Sequence, residues 1–357
     1  MKIAIISCYD QIDYVRTLVL RPGFAAAPNV ETIIVKNEKR GLIRYLEVPY
    51  KILLTKFKDK PDAYVITFRG YEMLPFVLMI KGGKPLIFDE FINAAEYLQE
   101  HNTLALNSTL GKIFRRWYTG LLKRCRFILA DTQAHADYSS QLCGVDINKY
   151  VALPVGTDET VFYPGAATYT PDKNGKFRVF SYGAMPKLHG IEYFLEAAVM
   201  LAKTHPNVEF VLSDPKGKKA AAFQAAKDKG ANIKVLEGWI NFKDLPNLEI
   251  EADLCVGGHF GQTLQSQFVI ATKTYQYLAC EAPALVGRNK ATDGFVDKKN
   301  CLLVEPGNAQ AIAEAIGWAA EHPAELRQIG CEGRKLYEER FSNTKINQKI
   351  AEMVARL

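Results

Sequence analysis

The residues best placed to do chemistry lie in one stretch, Cys255 to Pro283, reading CVGGHFGQTLQSQFVIATKTYQYLACEAP. Its apolar opening ends in Cys255, Val256, Gly257 and Gly258, as a buried strand leaving a sheet does. A Phe260-Gly261 turn and a polar loop follow. The spacing then turns helical, with Tyr275, Leu278 and Ala279 on one face, Thr272 at the cap position and Pro283 past the end. A strand, a glycine loop and a helix carrying Lys273 in its first turn form an anion cradle. Unpaired N–H groups and the positive end of the helix dipole face the loop. The expected ligand bears phosphate.

A second cradle opens the second half of the chain, FSYGAMPKLHGIEYFLEAA. A strand over Val179–Tyr182 leads to Gly183, a loop with Lys187 and His189, then Gly190 and an amphipathic helix. These residues fall at the C-terminal edge of a strand, where open α/β sheets bind ligands. The plainer reading is a solvated lysine and a helix-capping histidine. A second lysine cradle on the same edge decides for a ligand.

The elements around these motifs alternate. In the first half, strands are expected over Ile3–Ile6, Glu31–Val35, Ala63–Thr67, Pro85–Phe88, Phe127–Ala130 and Tyr150–Leu153. Helices are expected over Leu42–Phe57, Gly111–Arg124 and Ala134–Leu142. A segment rich in proline and glycine, residues 156–175, reads as a linker. Alternation then resumes with strands at Phe177–Tyr182, Val208–Leu212, Ile233–Glu237, Leu254–Gly257, Leu285–Val286 and Leu302–Val304. Further helices are expected over Ile191–Lys203, Ala309–His322 and Ala324–Phe341. Apolar strands between helices argue for parallel sheets covered on both faces. At 357 residues the chain exceeds the ~250–300 at which single cores stop growing, so two doubly wound domains are expected, with a cleft between them.

Composition narrows the class. Hydrophobic content of 48% and charged content of 24% are those of a soluble globular protein, and a net charge of +6 suits a polyanionic ligand or an acidic membrane surface. The seven cysteines are scattered without metal-ligand or redox spacing, which predicts reduced thiols in a cytosolic protein. MKIAIISCYD is too short an apolar run for the core of a secretory signal, and no run approaches the ~18 apolar residues that span a bilayer. The first strand ends in Ser7-Cys8-Tyr9-Asp10-Gln11 without a glycine, which counts against a dinucleotide-dependent oxidoreductase. P-loop, zinc-type histidine and Gly-x-Ser-x-Gly patterns are absent.

The motifs of the second half resemble the donor domain of retaining nucleotide-sugar glycosyltransferases of the GT-B fold, family 4. That family shows Gly-Arg-x-x-x-x-Lys-Gly after the domain's first strand. Gly183-Ala184 and His189-Gly190 keep the spacing, with Ala184 for the arginine and His189 for the lysine, and Lys187 available to supply the displaced charge. Lys273 through Pro283 resembles the branch Lys-x-x-Glu-x-Leu-Ala-x-Gly-x-Pro, with Gln276 for the second glutamate and Glu281 for the glycine. Phe268 falls where the first glutamate belongs. Glu237-Gly238-Trp239 before Ala252-Asp253, and Gly156-Thr157-Asp158 with Phe162-Tyr163-Pro164, also match.

The resemblance implies a GT-B arrangement: an acceptor-side domain over 1–165, a donor domain over 166–340, and a terminal helix over 341–357 crossing back to the first. It implies transfer of a sugar from a nucleoside diphosphate to a hydroxyl, with the nucleotide sugar as substrate, no cofactor and no metal. Lys187, His189 and Lys273 would hold the diphosphate beside Gly183, Gln276 the ribose, and Gly261 and Gln262 the donor sugar. A charged His189 predicts activity that falls on the alkaline side of its ~6.5 reference value. Two alternatives share the fold: a nucleotide-sugar epimerase, and a non-catalytic binding relative.

In the first half, Phe68-Arg69-Gly70 and Phe88-Asp89-Glu90-Phe91 each follow an apolar strand. Asp89 is the candidate base or acceptor contact, against an equally plain role as a helix cap. Arg69, Glu90 and His135 are further acceptor-side candidates, although Asp131 also reads as a cap and His135 as a helix-surface residue. The acceptor would be a sugar, a lipid-linked glycan or a small molecule. Residues 111–127, GKIFRRWYTGLLKRCRF, form a basic helix with aromatics. That pattern fits a packing helix with a solvated basic face, or a peripheral contact with the inner face of a membrane. It is too local for a nucleic-acid surface. The protein is expected in the cytoplasm.

Overall fold

The computed structural model describes residues 1–10, 14–165, 175–215, 217–238 and 240–357. Residues 166–174 of the expected linker, Gln11 and Trp239 lie outside the described residues. The chain divides into two units, Met1–Gly156 with Asn343–Leu357, and Thr157–Ser342. The division thus falls at Gly156, ahead of the 165/166 boundary read from composition, and the residues after Ser342 group with the first unit.

The first unit holds strands β1 (Lys2–Ser7), β2 (Glu31–Lys36), β3 (Ala63–Ile66), β4 (Leu86–Asp89), β5 (Phe127–Ala130) and β6 (Tyr150–Ala152) in the order β2-β1-β3-β4-β5-β6. All pair parallel. The side-chain period of two divides the strands between two cores. Ala4, Ile6, Tyr64 and Ile66 pack with helices Arg44–Lys58, Leu74–Ile80 and Thr109–Leu122. Ile3, Ile5, Ala63 and Val65 pack with Val15–Ala25 and Asn343–Val354. Ile346 and Ile350 hold the last helix there, and a Cβ on Gly23 would lie 2.5 Å from Ile350 Cδ1, so a larger residue would require that side chain to shift.

The second unit holds β7 (Phe177–Ser181), β8 (Val208–Ser213), β9 (Ile233–Leu236), β10 (Leu254–Gly258), β11 (Ala284–Gly287) and β12 (Leu302–Val304), ordered β12-β11-β10-β7-β8-β9. These also pair parallel. The order reverses between β7 and β10, which brings their C-terminal ends side by side. That is the switch point where doubly wound sheets form crevices. No described helix is long and apolar enough to cross a membrane, and the seven cysteines are free thiols.

Candidate active site

The two cradles meet at that switch point. A pocket there is lined by Ser181, Met185, His189, Ile191, Phe194, Val256, Gly257, Gly258, Phe260 and Lys273. Backbone bonds stitch the two loops: Phe260 N–H donates to His189 O at 3.3 Å and Gly261 N–H to Leu188 O at 3.0 Å. Gly190, at φ +61°, permits this contact, since a Cβ there would lie 2.5 Å from Gly261 N. The helices Ile191–Thr204 and Thr272–Ala279 both begin at the pocket, and neither has a side-chain cap. Tyr193 and Thr274 N–H bond back to Gly190 O and Ala271 O, which leaves the first two N–H groups of each helix for an anion. Thr272 is the first helical residue and Ala271 the cap position, which corrects the cap expected at Thr272.

Lys273 is buried, with its ammonium donating to Tyr182 O at 2.7 Å. Burial pushes its pKa down to about 7, against the opposing pull of Glu249. Glu249 is itself buried, and burial raises its carboxyl well above the usual range. Gln276 is also buried, and its amide oxygen accepts a hydrogen bond from the Tyr182 hydroxyl. Lys187 is exposed in the turn Lys187–His189.

His189 packs edge-on against His259, ring centroids 4.7 Å apart. Burial, then the charges of Lys273, His259 and Lys219, hold His189 well below its ordinary value. Burial thus disfavours a charged His189 in the free protein, against the charged form expected from the resemblance. His259 is driven to about 3 by burial and by Lys273. Gln262 lies over Gly307, where a Cβ would meet its Nε2 at 2.3 Å, and Gly261 O accepts from Ser266 Oγ at 2.7 Å.

Three residues here escaped the sequence reading. Lys219 donates from its ammonium to the Ala184 carbonyl, beside the position where the family's arginine is missing. Tyr182 anchors both Lys273 and Gln276. His259 neighbours His189. The signal for Lys219 was present in Gly217-Lys218-Lys219, a glycine and two lysines opening a helix after β8. At position 268, Phe268 is buried and takes Lys290 over its ring at 5.0 Å, where a carboxylate was expected by spacing.

The first sheet's C-terminal edge is closed by its own contacts. Asp89 is buried, and its Oδ1 accepts from Arg16 Nε and Nη2, each at 3.1 Å. Arg16 is also buried and donates to the carbonyls of Leu153 and Pro154. Asp89, expected as a base or acceptor contact, is half of an internal ion pair. Glu90 is buried and accepts from Tyr118 Oη at 2.7 Å and Ser139 Oγ at 2.5 Å, so it does not face an acceptor either. His135 is buried rather than on the helix surface, with Nδ1 2.8 Å from Asp131 and Nε2 3.4 Å from Glu96. Asn93 and Thr132 cap the helices at this edge, the latter in place of the expected Asp131. Only Arg69 of the four candidates is partly open, bonded to Tyr71 Oη at 2.7 Å and lying over the rings of Tyr71 and Tyr97.

Residues 176–322 match the family described as Glycosyl transferases group 1. No curated protein matches the chain. Among solved structures, HepE of Anabaena in complex with UDP-glucose is 16% identical with a TM-score of 0.73, covering 100% of both chains. Sucrose-phosphate synthase of Thermosynechococcus elongatus is 14% identical with a TM-score of 0.74, covering 100% of this chain and 98% of its own. A glycosyltransferase of Rickettsia africae is 11% identical with a TM-score of 0.71, covering 99% of this chain and 97% of its own. Over its whole length the chain shares the fold of these structures, and its residues 176–322 are similar to the Glycosyl transferases group 1 family.

Proposed function

We propose that the protein moves a hexosyl group from a nucleoside diphosphate to a hydroxyl acceptor, with retention at the anomeric carbon and without a metal ion. The observation that carries this is the pocket between β7 and β10, where two uncapped helix starts and Lys273 converge. When the glycosidic C–O bond opens, negative charge collects on the diphosphate. Fixed N–H dipoles and cations aimed at that charge stabilise the transition state more than the ground state. Lys273 and the exposed Lys187 supply positive charge, and Lys219 replaces what Ala184 lacks. His189 donates a hydrogen bond as a neutral imidazole. The loop at Gly261 and Gln262 approaches the donor sugar, and Arg69 with Tyr71 and Tyr97 offers an acceptor hydroxyl a cation and two ring faces.

A lysine poised near neutrality gains a proton when an anion arrives, because an adjacent opposite charge raises its pKa. Titration calorimetry in buffers of different ionisation enthalpy should therefore detect proton uptake on nucleotide binding near pH 7. UDP-glucose, bound by HepE, is the first donor to try, with GDP- and ADP-sugars beside it. Absence of binding by any of them would sink the reading. NMR of the transferred sugar tests retention, and activity after chelation tests metal independence.

A second reading, binding without transfer, is favoured by Gln276, whose amide oxygen is already taken by Tyr182. It predicts nucleotide binding with neither transfer nor donor hydrolysis across an acceptor panel.

A further inference from the structure

We propose that one helix-covered face of the first unit docks on an anionic lipid bilayer. The face is built by Arg44–Lys58, Leu74–Ile80 and Thr109–Leu122, all laid on the same side of the first sheet. Each buries an inner stripe in one shared core, through Val48 and Ile52, Leu74 and Val77, and Tyr118 and Leu122. The outer stripe of such a helix is ordinarily polar. Here it is not. Leu46 is 77% exposed, Phe57 72%, Met79 73%, Leu110 70%, Ile113 60% and Trp117 50%. Single exposed apolar residues need no explanation, but six on three helices of one face mark an interaction surface.

Charge selects the occupant. Residues 109–126 carry Lys112, Arg115, Arg116, Lys123, Arg124 and Arg126 and no Asp or Glu. Lys56, Lys58 and Lys81 add to this on the other two elements and their flanks. Apolar side chains among cations are what an anionic bilayer surface holds, by shallow insertion and by headgroup attraction. Trp117, with an apolar body and a polar N–H, suits the interface itself. A second copy of the chain fits less well. In a two-fold dimer the patch would meet itself and set Lys112 and Arg116 against their own kind. None of the donor-pocket residues lies on this face, so the proposal stands independently of the transfer reaction.

The full chain should float with vesicles of phosphatidylcholine and phosphatidylglycerol, release at high salt, and leave phosphatidylcholine vesicles largely free. Lys112→Glu with Arg116→Glu should weaken that binding by more than about tenfold. Ile113→Ser with Trp117→Ser should weaken it comparably. These side chains are exposed, so melting temperatures should hold. Should either double variant melt early, the Trp117 share of the emission, taken as the unmodified chain minus Trp117→Phe because Trp239 and Trp318 also emit, reads insertion. It should shift to the blue on anionic vesicles, and Trp117→Phe should bind while losing that shift. Failure to float with either vesicle, equal partition to both, or a dimer dispersed by the Ile113/Trp117 variant would overturn the proposal.

Discussion

The two sheets present comparable edges and use them differently. At the ends of β4 and β5, the buried carboxylates have neighbours from within: Asp89 pairs with Arg16, Glu90 accepts from Tyr118 and Ser139, and Asp131 and Glu96 flank His135. At the ends of β7 and β10, the titratable groups are bases held down by burial and by one another. The carboxyl near Lys273, that of Glu249, is raised towards its neutral form. A strand's C-terminal edge is thus not enough to make a site, and the two edges differ in the sign of the groups they bury: carboxylates at the first, bases at the second.

Removing one member of a matched pair tests the closed edge most severely. Asp89→Ala leaves the Arg16 guanidinium buried with only carbonyl partners, and losing half of a buried pair costs ~3–5 kcal/mol. Urea unfolding of the full chain should show the first unit's transition falling by about that much. A variant that keeps its stability but loses transfer would return Asp89 to the acceptor site and break the contrast.

The open edge should respond the other way. A ligand at one hundred times its dissociation constant stabilises the native state by ~2.7 kcal/mol. Lys273→Met should lose most of that nucleotide-induced gain in thermal shift. Equal shifts in variant and parent would mean the anion sits elsewhere. Tyr118→Phe sharpens the comparison at lower amplitude. It strips a hydrogen bond from buried Glu90, at a cost of ~1–3 kcal/mol, and should leave nucleotide affinity unchanged.

Much of the frame was legible because short β-branched runs buried on both faces have few other uses. Phe127–Ala130 and Leu302–Val304 fall where expected. Helix Val15–Ala25 was not legible, because Pro22-Gly23 reads as a break and its buried Arg16 reads as surface. Both are explained only by tertiary partners, Asp89 and the last helix. In the second unit the glycine spacing located the pocket, but side-chain roles depended on distant residues. Gln276 could not be known to be engaged without Tyr182, nor Lys219 to lie beside Ala184. Glu281 shows the limit of motif reading. It takes the left-handed backbone, φ +62°, that the family gives to glycine, and its carboxylate accepts from Cys331 Sγ at 2.7 Å.

The histidines put the same contrast into pH. Burial disfavours a charged His135, but the hydrogen bond to Asp131 and the Glu96 carboxylate 3.4 Å from Nε2 outweigh it and raise its pKa to about 10. Its folded value therefore exceeds the unfolded ~6.5, so its stabilisation is full below pH ~6.5 and is lost as pH rises towards 10. His259 runs the other way. Its folded value of about 3 lies below ~6.5, so the unfolded chain takes up the proton first and stability is lost as pH falls from there. Each slope is bounded by ~1.4 kcal/mol per pH unit. Comparing the parent with His135→Gln and with His259→Gln by chemical unfolding across this range cancels the other carboxylates. The parent's advantage over the first variant should shrink in alkali, and over the second in acid. If His135 shows no alkaline slope, its imidazole is neutral and the ring of carboxylates around it carries a proton instead, which would make that edge less self-matched than its geometry implies.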